Sequence, residues 1–311
     1  MLQNFKILAI ILIFILVGNS FAVAQGGMFQ NQIPIFNPSL TGKFNSLRMS
    51  SQYTQPIRRN PLFPNYRIHG NAEYLAEGIN SGFGFNYELN RSLYFENSMY
   101  DLGYAYHHTL NKEWSVGAGL SGSYFQTKTA DENANLIPEF PDYGEVTNRF
   151  LALNGGVYGS YNDLTLGVGM RNVLGHYLDT AYNSYRTVSN IQLRYDFSVG
   201  QRWIFSTINQ MHFGVNNNVL ESNLIGTRNG NFWWLAGYKR TSWNGGNNFV
   251  GGIGIAAWKR VEVGYIQHLI QLPFNESSWG WGNFELTLSY RIPTVNRASV
   301  TCGFCIEIEE D

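Results

Sequence analysis

Six histidines, His69, His107, His108, His176, His212 and His268, are the side chains whose type best suits general-base or metal-ligand work in this sequence. Paired with a serine and an acid, a histidine can activate a nucleophile for acyl transfer, as a lipase or protease requires. None of the six stands in a nucleophile elbow, a paired-histidine metal spacing or another diagnostic catalytic motif. His107 and His108 are adjacent, so in a strand they point to opposite faces and cannot share one ion. The stretch from Thr127 to Thr147 holds Asp131, Glu132, Glu139, Asp142 and Glu145 with Pro138 and Pro141, but it lacks the Asx-x-Asx-x-Gly order of a calcium loop and reads as a solvated connection. Cys302 and Cys305 can close a small disulfide loop in an oxidising compartment. With no second cysteine pair they do not make a closed zinc site. No catalytic residue, cofactor or metal is expected.

The elements that would have to position such groups point to a different kind of protein. Only 14% of the 311 residues are charged, aromatics reach 15%, and there are 33 glycines, a balance unlike that of a soluble helical enzyme. A formal net charge of -1 and a pI near 6.6 give no long-range attraction to phosphate backbones, so nucleic acid is not an expected partner. Lys6, the apolar run Ile7 to Val17 and the small residues Ala22-Val23-Ala24 predict a secretory leader over 1–24, cleaved after Ala24. That run is too short to cross a bilayer as a helix.

Beyond the leader the sequence alternates with period two, the signature of strands with two chemically different faces. Phe83, Phe85, Tyr87 and Leu89 share one face, and Gly82, Gly84, Asn86 and Glu88 the other. Leu164, Leu166, Val168 and Met170 oppose Thr165, Gly167, Gly169 and Arg171 in the same way. The spacing predicts about fourteen strands, roughly at 43–55, 66–76, 78–89, 98–109, 113–126, 148–161, 164–172, 187–200, 203–215, 218–226, 230–242, 247–257, 259–270 and 283–292. Many are long enough to cross hydrocarbon at a tilt. Connections are tight after the second, fourth, sixth, eighth and twelfth strands and long after the first, third, fifth, seventh and thirteenth, the asymmetry of an all-β transmembrane, antiparallel up-and-down barrel with short periplasmic turns. Alternation fades over 216–230.

Trp114, Tyr124, Trp203, Trp233, Trp258, Trp279 and Trp281 fall near strand ends and are expected to form interfacial girdles. In the loop 271–282, Phe274, Trp279 and Trp281 are also candidates for contact with a partner. The polar face carries Arg48, Arg67, Arg171, Arg194, Lys239 and Arg291 against Glu73, Glu88, Asp101, Asp196, Glu262 and Glu285. Such a balance predicts a partly filled lumen with cross-lumen ion pairs rather than a single-sign ion filter.

The segment Phe29-Gln30-Asn31-Gln32-Ile33-Pro34-Ile35-Phe36-Asn37-Pro38-Ser39-Leu40-Thr41-Gly42, followed by a strand with an inward Arg48, resembles the opening of the PorP/SprF family of type IX secretion system outer-membrane proteins of Bacteroidetes. Asn37, Pro38 and Gly42 match that family's motif, while Ser39 and Thr41 stand where it usually has alanine. Asp101 to His108 and Trp114 to Leu120 are also similar, and the likeness runs over most of 25–292. Physically the motif is a fixed turn, because Pro38 restricts its own φ and Gly42 permits a positive one.

The expected organisation is a leader (1–24), a periplasmic segment with the Asn-Pro turn (25–42), a barrel in the outer membrane of a Gram-negative bacterium (43–292), and a C-terminal tail with Cys302, Cys305 and an acidic end (293–311). The resemblance implies a non-enzymatic role in exporting or surface-anchoring proteins with C-terminal sorting domains, including gliding adhesins. Its implied partners are outer-membrane lipid, that cargo, and other secretion subunits such as a periplasmic lipoprotein or peptidoglycan-binding protein. A passive porin or hydrophobic-substrate transporter is the alternative.

Overall fold

The computed structural model describes residues 35–44, 47–56, 65–92, 95–129, 147–178, 187–200, 202–214, 218–229, 231–241, 247–258, 260–271 and 279–292. They form β1 (Leu47–Pro56), β2 (Tyr66–Ala76), β3 (Ser81–Arg91), β4 (Phe95–Thr109), β5 (Trp114–Thr129), β6 (Thr147–Tyr161), β7 (Leu164–Tyr177), β8 (Val188–Val199), β9 (Trp203–Phe213), β10 (Asn218–Arg228), β11 (Phe232–Thr241), β12 (Asn247–Trp258), β13 (Val261–Gln271) and β14 (Trp279–Ile292). Each strand pairs antiparallel with its sequence neighbours, and β14 returns to β1 with Leu47 opposite Ile292, closing a fourteen-stranded barrel. No helix among the described residues is long and apolar enough to cross a membrane.

Left-handed residues make the tight connections possible. Asn80, Asn162 and Asn229 (φ 50°, 47° and 46°) and Gly200 (φ 64°) take the left-handed conformation at four tight connections, which these residue types tolerate and β-branched ones do not. Before β5 the Asn111 Oδ1 accepts the backbone N–H of Glu113 (2.9 Å) and of Trp114 (2.8 Å), folding the chain back without a glycine. All these turns lie at one end of the barrel.

The structure departs from the sequence reading at several points. The connection expected to be long after β3 is short, because β3 runs on to Arg91 and β4 begins at Phe95, with Ser92 N–H donating to the Phe95 carbonyl (2.8 Å). β7 continues past 172, where Asn172 takes φ 55° and the register against β6 shifts between Leu153 and Gly155. This bulge breaks the alternation that would have marked the rest of the strand. Trp279 and Trp281 are strand residues opposite Gln271 and Leu269, not loop residues. The leader, the acidic residues 131–145, Phe274, Cys302 and Cys305 lie outside the described residues.

Outward side chains such as Leu102, Leu120, Val157, Leu166, Ile253 and Leu286 are exposed, as a lipid-facing belt requires. The interior is less polar than the alternation predicts. Ile208, Ile225, Trp233, Leu235, Val250 and Ile266 point inward and form one apolar cluster with Tyr158 and Leu40. Trp233, expected in a girdle, is 4% exposed inside the barrel. Its ring lies flat on the wall, where a Cβ on Gly254 or Gly264 would come within 2.2 Å of it. The same cluster explains the faded alternation at 216–230, since β10 sends Val219 and Ile225 inward beside Glu221 and Asn223.

Trp233→Ala is expected to lower the temperature at which the folded, fast-migrating band converts to the unfolded form in gel electrophoresis. The cavity corresponds to about 3–5 kcal/mol. Trp114→Ala, on the exposed face, is expected to shift that midpoint much less.

Candidate functional site

The chain before β1 turns into the barrel. Residues 35–44 rise through the lumen, and the short 3-10 turn Pro38–Leu40 packs against β4, β5, β6 and β7. The segment expected to be a periplasmic lead-in is therefore, over these residues, an internal plug. Asn37, Ser39, Leu40, Thr41 and Lys43 are all buried. The motif folds as its chemistry dictates: the Asn37 Oδ1 accepts from the Ser39 backbone N–H (3.2 Å) and hydroxyl (2.6 Å), while Thr41 N–H donates to the Pro38 carbonyl (3.2 Å). Gly42, at φ 71°, swings the chain toward β2 and donates its N–H to the Glu73 Oε2 (2.9 Å).

The wall is cut to receive this segment. A Cβ on Gly82 would lie 1.9 Å from the Thr41 carbonyl oxygen, on Gly156 2.0 Å from the Asn37 Oδ1, on Gly169 2.2 Å from the Phe36 carbonyl oxygen, and on Gly119 2.5 Å from the Ser39 nitrogen. Inward glycines on β3, β5, β6 and β7 thus form a trough whose floor is backbone, and the plug's own backbone lies in it. Polar clamps hold the C-terminal half of the plug. The Lys43 ammonium donates to the Ser160 and Thr165 hydroxyls and sits 3.8 Å from the Tyr158 ring centroid. His107 bridges, with Nε2 2.9 Å from the Thr41 carbonyl oxygen and Nδ1 2.9 Å from the Tyr158 hydroxyl. Across the lumen Phe44 lies under the Arg194 guanidinium (4.2 Å), and the Phe36 ring meets His212 at a tilt (4.3 Å between centroids, 60° between planes).

Most of the charged lumen residues expected from the sequence do pair, but along the wall rather than across it. Arg48 meets Glu73 (3.7 Å) on the neighbouring strand, Arg67 meets Glu88 (2.6 Å), Arg194 contacts both carboxylate oxygens of Asp196 on its own strand, and Arg291 contacts Glu262. Cross-strand neighbours are close by construction, whereas the opposite wall is a barrel diameter away. Lys239 takes Glu221 (3.6 Å), an acid the sequence reading passed over. Glu285 accepts from Gln52 (2.7 Å) and contacts His268 (2.7 Å). Two expected ion-pair members do something else. Asp101 gathers the hydroxyls of Ser121 (2.9 Å) and Ser123 (2.5 Å) and the amides of Asn154 (3.2 Å) and Asn86 (3.4 Å). Arg171 lies against the rings of Phe36 (5.4 Å) and Phe125 (5.7 Å), with no carboxylate in ion-pair contact among the described residues. No group of three or more metal-ligating side chains occurs among the described residues.

Comparison with known proteins follows this geometry. The family described as type IX secretion system membrane protein PorP/SprF matches residues 21–290. No curated protein matches significantly. Solved structures similar in fold include the CymD monoaromatic hydrocarbon channel, 12% identical over 90% of this chain and 95% of that one with a TM-score of 0.52. The Ralstonia pickettii toluene transporter TbuX is 10% identical over 89% and 96%, with a TM-score of 0.50. At such identities the likeness is one of fold.

Two outcomes test the plug. With Cys302→Ser and Cys305→Ser removing the native thiols, Ser39→Cys is expected to resist a water-soluble maleimide in the folded barrel, and adding Gly156→Leu, whose side chain occupies the Asn37 seat, is expected to make it reactive. Asp101→Leu, which removes the acceptor shared by four buried donors, is expected to destabilise the barrel by about 2–4 kcal/mol, read from the same gel midpoint.

Proposed function

This chain belongs to the PorP/SprF family of type IX secretion system membrane proteins, and from that premise we propose that it is a closed, non-enzymatic outer-membrane component supporting export or surface anchoring of proteins with C-terminal sorting domains. The observation that carries this reading is the occupied lumen. A diffusion pore needs a continuous aqueous path, and here residues 35–44 are seated in a glycine trough and clamped by Lys43, His107 and Glu73 beside an apolar cluster. The work then falls to the two rims. The long-loop rim faces the exported protein, and the tight-turn rim faces a periplasmic lipoprotein or peptidoglycan-bound subunit. In this reading residues 1–24 are removed after Ala24, and Phe274, Trp279, Trp281 and the tail with Cys302 and Cys305 are partner-facing pieces.

Purified from outer membranes in mild detergent, the protein is expected to bring with it secretion-system subunits or a sorting-domain protein, and to give no steady single-channel conductance in planar bilayers. Robust conductance from the wild-type barrel without any stable partner would sink the proposal and favour the porin reading.

A further inference from the structure

At mid-strand, the outward face of β9 and β10 carries a hydrogen-bonded polar pair. On β9 the inward residues Ile208 and Gln210 are buried, so Asn209 between them points outward, four residues from Phe213 at one end and six from Trp203 at the other. It lies directly opposite Ser222 of β10, which is outward between the buried Glu221 and Asn223. The Ser222 hydroxyl donates to the Asn209 Oδ1 (2.7 Å), and Thr207 is the next outward residue on β9. The Asn209 Nδ2 meets no acceptor among the described residues. Elsewhere the belt exposes large apolar side chains such as Leu102, Leu120, Val157, Leu166, Ile253 and Leu286.

An amide N–H in hydrocarbon has no water to bond, and lipid tails offer no acceptor; a headgroup would not reach the middle of the belt. The cost of leaving it there is removed only by another polypeptide. A second copy of this chain is the occupant whose chemistry is already complete. The Asn209 Oδ1 has two lone pairs and Ser222 uses one. When two copies face each other about a two-fold axis, each Nδ2 donates to the Asn209 Oδ1 of the other, and no further residue is needed. Around this centre, Leu193, Tyr195, Met211, Leu220, Leu224 and Tyr238 supply the apolar surround that excludes lipid from the contact.

We propose that the outer face of β8–β11 is a self-association surface through which two copies of this chain pair within the membrane, with reciprocal Asn209 amides at its centre. In a chain carrying Cys302→Ser and Cys305→Ser, Asn209→Cys is expected to form a disulfide-linked homodimer in oxidised outer membranes, while Leu120→Cys, on a distant face, does not. Native mass spectrometry from lipid nanodiscs is expected to show dimers of the wild type. Asn209→Leu, which suits the lipid face and keeps the heat-modifiable fold, should raise the dissociation constant about ten-fold, the scale of intramembrane hydrogen bonds. A wild-type protein that is monomeric, an Asn209→Leu variant that dimerises as well as the wild type, or an Asn209→Cys variant that links to a different protein would each overturn it.

Discussion

Every peptide N–H and C=O that enters hydrocarbon has to find a partner within the protein, and the pairing of β1 with β14 is where this chain meets that demand. An open sheet of the same strands would present two unpaired edges to lipid. Closure makes the strand count, the alternation and the tilt consequences of one requirement. It also creates an inside, and a cylinder of this girth encloses more room than side chains from its own wall can fill.

The protein fills that room in two ways that divide the lumen. On the side of β3 to β7 the wall is pared back to glycine, and a piece of main chain takes the place of the missing side chains. On the side of β8 to β13 the wall thickens with Ile208, Ile225, Trp233, Leu235, Val250 and Ile266, and the plug contributes Leu40 and Phe44 to that mass. Polar groups appear where main chain must be tied down, as at Glu73 and His107, or where neighbouring strands place opposite charges side by side. Three of the histidines the sequence singled out, His107, His212 and His268, hydrogen-bond to the lumen wall or the plug. His107 holds the plug, and His268 sits on Glu285.

The barrel was legible in the sequence because its two faces differ in polarity residue by residue, and that difference is local. The strand from 66 to 76 has the expected bounds, and β7 went astray only beyond Asn172, where a bulge breaks the period. The plug was not legible from the same signal. Asn37, Pro38 and Gly42 announce a turn, but the surfaces that receive it lie about forty to a hundred and thirty residues further on. A trace was present all the same. Gly82, Gly84, Gly119, Gly156, Gly167 and Gly169 all fall on the inward face, and a wall that met only water would have no reason to be bare there. Likewise the equal numbers of acids and bases foretold pairing, while the identity of each pair waited on register: Glu221 faces Lys239 only because β10 and β11 are aligned as they are.

The plug is the stretch of chain immediately before β1, yet its seat is built from β3 to β7 and the cylinder is sealed only by the last strand to be made. Lys43 reaches a hydroxyl 117 residues downstream, and Gln52 a carboxylate 233 downstream. With its seat formed by later strands and the tube closed only by the last, the geometry favours laying the segment into a half-built trough and then rolling the remaining sheet around it, over threading it into a finished tube. Insertion and enclosure become one event, and the long-range closure of first strand on last is the step that sets its pace.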